Sequence, residues 1–184
     1  MTQKYDPHKH NRRSIRLRSW DYRAAGYYFV TICTHQRELL FTDGRFYDIA
    51  YYAWHNIPTH PHAQHVDLDE YCIMPNHTHG ILIQTQNLTL PANEQAPNEP
   101  VFQNALSGSL GAVVGNYKSL VTRRINNLRH SQGSKVWQRG YYERIIRNER
   151  ELNAIRQYIR DNPARWAEDR DNLDKLLAKM QLIL

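Results

Sequence analysis

Two histidines one residue apart, His77 and His79, open a run of strand-forming residues, His77 to Gln84 (HTHGILIQ). In an extended strand the side chains at i and i+2 point to the same face, so two imidazoles so placed can chelate one divalent ion. Ile81 and Ile83 continue that face, which sets the pair beside an apolar core, where polar groups need partners. Those partners can be ordinary hydrogen bonds or a metal. The chain has ten histidines, and His60-Pro61-His62 shows the same spacing arising in a Pro-rich loop. Structural zinc wants four protein ligands, usually with thiolates. Cys33 and Cys72 lie in other apolar runs with no zinc spacing around them, and read as buried free thiols of a reducing cytoplasm. Two imidazoles with an oxygen donor form instead an open shell, suited to a catalytic Mg²⁺ or Mn²⁺ that also binds a phosphate.

A second candidate lies far along the chain. The run from Glu149 to about Asp161 has helical spacing and carries Tyr158, with Asn162 four residues later on the same face. The Asn162 amide oxygen is a candidate third ligand. Arg156 and Arg160 flank Tyr158 and can hold phosphates. A phenol near cations and a metal can attack a phosphodiester, giving a phosphotyrosine bond that conserves the energy needed for rejoining. Tyr158 can equally be a packing residue among Leu152, Ile155 and Ile159. With twelve tyrosines in the chain, helical spacing does not choose between the two.

The elements that must position these groups follow from periodicity. Gly26 to Thr34 (GYYFVTICT) reads as a strand. Arg45 to Asn56 has helical spacing and is closed by Pro58 and Pro61. Val66 to Met74 and His77 to Gln84 predict a hairpin about Pro75-Asn76. Leu110 to Leu128 forms one apolar helical face, with Ser107 or Ser109 as its cap. Val136 to Arg147 reads as a last strand. Asn148 then caps a helix, with Glu151 in capping-box position, and Pro163 stops it. The order β-α-β-β-α-β-α predicts an α+β, ferredoxin-like split βαβ domain: one antiparallel sheet of four to five strands with helices on one face. The expected organisation is a basic arm over 1–25, the domain over 26–166 with a mobile loop near 86–106, and a helical tail over 167–184 with a helix at about 172–183.

The 184 residues suit one domain. No run of 18 apolar residues predicts a membrane span, and the basic N-terminus lacks the apolar stretch of a secretory signal. The net charge is +6. It concentrates in two blocks interleaved with Tyr and Trp. One is Met1 to Arg23, where Arg12, Arg13, Arg16 and Arg18 cluster; the other runs from Lys118 through Arg123 and Arg124 to Arg150. Cations neutralise phosphates and aromatic faces stack on bases, so nucleic acid is the expected partner.

The run YCIMPNHTHGILI (Tyr71 to Ile83) resembles the HUH signature of single-strand DNA transposases that use one tyrosine. GYYERIIRNERELNAIRQYIRDNPARW (Gly140 to Trp166) and the lead-in RRSIRLRSWDY (Arg12 to Tyr22) resemble one branch, the REP-associated tyrosine transposases. The resemblance implies a ferredoxin-like fold, a divalent metal (Mg²⁺ or Mn²⁺) and a 5′-phosphotyrosine intermediate. On it, His77 and His79 match the metal-binding pair, Tyr158 the nucleophile and Asn162 the third ligand. Thr78 stands where a bulky apolar residue is usual, and should face away from the metal. The implied partner is single-stranded hairpin DNA, read partly by the arm at Arg12 to Arg18, by a cytoplasmic, nucleoid-associated monomer or homodimer. Trp137 and Tyr141 could touch DNA or belong to the core; core is the expectation for Trp137. Two rival readings share the fold: a non-catalytic nucleic-acid-binding protein, and a phosphoesterase that uses a metal-bound water and no tyrosine.

Overall fold

The computed structural model describes residues 20–86 and 107–166. In chain order these form β1 (Gly26–Cys33), α1 (Gly44–His55), β2 (Val66–Met74), β3 (His77–Gln84), α2 (Leu110–Leu128), β4 (Tyr142–Ile146) and α3 (Glu149–Asp161). The architecture is α+β, as the element order predicts. The sheet is antiparallel throughout and ordered β2-β3-β1-β4, which puts the histidine strand in its interior. The arm at Arg12, Arg13, Arg16 and Arg18, the loop from residue 87 to 106 and the tail from 167 lie outside the described residues.

Strand alternation sorts the core into two layers. Tyr28, Val30 and Ile32 of β1 and Leu82 of β3 meet Trp54 of α1 and Val113, Tyr117 and Val121 of α2. Phe29, Cys72, Met74 and Ile81 point the other way and meet Leu152, Ile155 and Ile159 of α3. Helices on one face therefore describes α1 and α2 only. Both faces of β1 and β3 are apolar, so each needs cover, and α3 supplies it on the second face.

Gly80, the residue after His79 on β3, faces α1. A Cβ there would lie 2.2 Å from Trp54 Cζ2, inside a fully buried indole. Gly80→Ala should cost about 3 kcal/mol through overpacking. Thermal unfolding checks this, and an unchanged melting temperature would show that Trp54 yields easily.

The expected last strand is shortened. Only Tyr142 to Ile146 pairs with β1, and Trp137 makes a single isolated bridge to Thr34. Gly140, with φ at +77°, takes the chain out of the extended range there, and Lys118 Nζ donates to the carbonyls of Gln138 at 2.9 Å and Gly140 at 2.7 Å. Trp137 is core, packed on Phe41 and Tyr117, with its indole N–H donating to the Lys118 carbonyl. Tyr141 is half-buried against the same core. At α3 Asn148 caps as expected, its Oδ1 accepting from the Glu151 N–H at 2.9 Å. The Glu151 carboxylate does not close a box on Asn148. It accepts from the Arg147 N–H and the Arg144 guanidinium, which ties the start of α3 to β4.

Candidate active site

The α3 face of the sheet holds the two histidines. In the β1–β3 register Thr31 lies opposite His79 and Cys33 opposite His77. Both imidazoles are buried, and their Nε2 atoms stand 3.0 Å apart. Each ring is fixed from behind. His77 Nδ1 lies 2.7 Å from Asn76 Oδ1, which can only accept, so that nitrogen carries the proton and Nε2 is a lone pair. His79 Nδ1 lies 2.8 Å from Thr31 Oγ1, and the ring stacks on Phe29. A hydrogen bond on the second ring nitrogen is what orients a metal-binding imidazole.

Burial, with a smaller push from Arg37, takes the His77 pKa down to about 4. Burial and the neighbouring His77 hold His79 well below its usual value. Both rings are therefore neutral at pH 7. Two facing Nε2 lone pairs repel unless a proton or a cation lies between them. Among the described residues no trio of His, Cys, Asp or Glu is arranged for a metal.

The depressed values have a stability consequence. The unfolded histidines titrate near 6.5. Between about 4 and 6.5 the unfolded chain binds a proton at His77 that the folded chain does not. Stability should therefore fall as pH drops through that window, by roughly 3 kcal/mol from His77 alone. In EDTA, the loss of melting temperature between pH 7 and pH 4.5 should be smaller for His77→Gln than for the parent. Equal losses would assign the pH dependence to other groups.

Tyr158, on α3, brings its hydroxyl to 3.2 Å from His79 Nε2. Its ring packs edge-on against Phe29 and His79. Packing residue and site residue are thus the same side chain: the ring belongs to the core and the hydroxyl reaches the histidines. Asn162 caps the C-terminus of α3 and is 1% exposed. Its Nδ2 donates to the Tyr158 carbonyl at 3.0 Å, and its Oδ1 has no hydrogen-bond partner. A buried orphan acceptor calls for an ion or a water. An amide oxygen and two neutral imidazoles are donors that a divalent cation such as Mn²⁺ would take only with water or phosphate oxygens completing the shell. Thr78 is buried on the opposite face from His77 and His79, as expected.

The cations expected to hold phosphate are placed unevenly. Arg156 grips Asp69, with Nη2 to Oδ2 at 2.7 Å, and Arg160 reaches Glu70 at 3.2 Å. Both acids sit where the β2–β3 register slips between Leu68 and Tyr71. These arginines join α3 to β2. Lys118 is spent on main-chain carbonyls, and burial lowers its pKa to about 8. Arg123 and Arg124 are exposed on α2. Sequence reasoning missed Thr31, Asn76, Phe29 and Arg37. Thr31 and Phe29 share the site's face by simple alternation along β1, and Asn76 is His77's chain neighbour. Only the position of Arg37 had no signal.

No protein-family model matches the sequence. An uncharacterized protein of Haemophilus influenzae is 38% identical over 186 residues, covering 95% of this chain and all of that one. Among solved structures, the REP-associated tyrosine transposase bound to a REP hairpin aligns with TM-score 0.55 at 18% identity, over 82% of this chain and 74% of that chain. A Deinococcus radiodurans structure aligns at TM-score 0.41 and 19% identity, over 79% of this chain and 95% of that one. The chain has a transposase-like fold and belongs to one family with the Haemophilus influenzae protein.

Proposed function

We propose that the protein is a metal-dependent enzyme that cleaves and rejoins single-stranded hairpin DNA, with Tyr158 as nucleophile and His77, His79 and Asn162 as ligands of Mg²⁺ or Mn²⁺. One observation carries this reading: the Tyr158 hydroxyl meets His79 Nε2 at 3.2 Å across a sequence separation of 79 residues. A metal in this shell would polarise the scissile phosphate and neutralise charge as it develops. The phenol oxygen bonds to phosphorus, the bond from phosphorus to the 3′-oxygen breaks, and the phenol proton ends on the 3′-oxygen. The reverse reaction rejoins the strand. Phe29 and His79 hold the Tyr158 ring in place, so little orientational freedom is lost at attack. Tyr158 and His79 meet within one chain, which supports action without a second copy.

Hairpin DNA is the substrate to try first, because the solved transposase of like fold was bound to one. Arg12, Arg13, Arg16 and Arg18 of the arm, with Arg123 and Arg124 of α2, are the proposed phosphate contacts. Arg156 and Arg160 instead hold α3 against β2, and contact DNA only by leaving Asp69 and Glu70. The test is a 3′-labelled hairpin incubated with the protein and Mn²⁺. The label should move onto the protein on a denaturing gel. Cleavage without an adduct would make the protein a hydrolase, and tight binding without cleavage a binding module.

A further inference from the structure

Where the turn after β1 bonds to Asn76, the chain neighbour of His77, lies a solvent-facing depression of about 650 Å³ lined by His35, Glu38, Arg129, Ser131, Ser134 and Lys135. It is shallow and widely open to solvent, so a ligand there would be held on one side only. Two turns build it. The first, residues 34–38, is fastened to the β2–β3 turn. The Thr34 hydroxyl shares its one proton between the Glu38 carbonyl at 2.7 Å and the Asn76 carbonyl at 2.9 Å, and the Thr34 N–H donates to the Asn76 carbonyl at 2.9 Å. Asn76 is also the residue that orients His77. The second turn, 129–135, hangs on buried Asn126, whose Nδ2 donates to the Ser134 carbonyl at 2.8 Å and whose Oδ1 accepts from Arg129 Nε at 3.0 Å. His35 N–H to the Val136 carbonyl, 2.8 Å, joins the two turns.

Backbone strain concentrates here. Gln36, Arg37 and His130 are the three non-glycine residues with positive φ among the described residues, at 52°, 57° and 52°, and all three fall in these turns. L residues adopt this region at a cost, and such strain gathers at ligand clamps. The chemistry on the walls is mixed. Arg129 and Lys135 suit a phosphate. Glu38 and Ser131 suit the donor and acceptor groups of a base edge, and Ser131 Oγ is buried with no hydrogen-bond partner.

We propose that this cleft is a nucleotide subsite, holding one nucleotide of the single strand beside the scissile position, its phosphate on Arg129 and Lys135 and its base edge on Glu38 and Ser131. It rests on the strand-cleavage reading only for what happens to that strand. The strain then has a use: it keeps the two turns open toward each other and locks the cleft to the turn that carries His77.

The test uses the full chain as Tyr158→Phe, labelled with ¹⁵N and titrated with a 5′-phosphorylated dT dinucleotide, and in parallel with inorganic phosphate. The amides of 35–38 and 129–135 should shift, and should saturate at lower dinucleotide than phosphate concentration. A combined Arg129→Gln and Lys135→Gln chain should bind hairpin DNA with a single-stranded flank about tenfold more weakly. Its salt slope should be shallower by about 1.4, two phosphate contacts' worth on a single strand. Lys135→Glu, at an exposed position, gives the same reading if the double variant does not fold. Equal saturation by phosphate, shifts elsewhere only, or unchanged affinity would each overturn the subsite. The two readings separate cleanly. Cleft shifts without any adduct from the parent chain keep the subsite and lose the cleavage reading. An adduct without cleft shifts does the reverse.

Discussion

A Tyr158→Phe chain should form no covalent adduct with hairpin DNA, at least ~10³-fold below the parent, while binding the same DNA with little change. The substitution removes one oxygen atom. The ring remains, so the edge contacts to Phe29 and His79 persist, and the lost hydrogen bond to His79 should cost only about 1 kcal/mol. Activity and stability are therefore separable at this position. If Tyr158 served only to pack α3 on the sheet, Phe would keep full activity. Quantified adduct on a denaturing gel, beside a melting curve, decides between the two.

The second large effect lies at the histidines. His77→Ala and His79→Gln should each lower adduct formation by at least ~10²-fold, since each removes a proposed ligand and leaves the phosphate without its counter-charge. Stability gives an independent readout. A ligand that binds only the folded chain adds about 2.7 kcal/mol at a hundred times its dissociation constant. Mn²⁺ should therefore raise the melting temperature of the parent and not that of His77→Ala. Asn162→Ala should weaken the Mn²⁺ effect less, because water can replace one oxygen donor. A parent chain whose melting temperature ignores Mn²⁺ and Mg²⁺ would leave the imidazoles as a hydrogen-bonded pair, with a proton between them and no metal.

Much of this site was legible because its signals are local. The hairpin Val66–Met74 and His77–Gln84 was readable to the residue, since alternation and Pro75-Asn76 both mark it. That alternation also put His77 and His79 on one face. Asn148 announced the start of α3, and four-residue spacing linked Tyr158 to Asn162. What was not legible depends on contacts between distant segments. Nothing in the spacing of Glu149–Asp161 says that α3 crosses to the second face of the sheet, and that crossing brings Tyr158 to His79. Arg156 and Arg160 read as phosphate holders because their partners, Asp69 and Glu70, lie 87 and 90 residues away at a strand irregularity. Lys118 read as a surface cation for the same reason. Its carbonyl partners belong to a stretch whose β-branched and aromatic residues suggested a strand. The cleft at His35 and Arg129 joins two turns with no sequence motif between them.

The central claim is that Tyr158 becomes bonded to DNA phosphorus. The most direct measurement is peptide mapping of the adduct by tandem mass spectrometry, after nuclease trimming of the DNA. The account predicts a single nucleotide-bearing peptide from α3, with the added mass on the Tyr158 side chain. The added mass on another tyrosine, such as Tyr27 or Tyr142 beside the same core layer, would contradict it, as would cleaved DNA with no modified peptide.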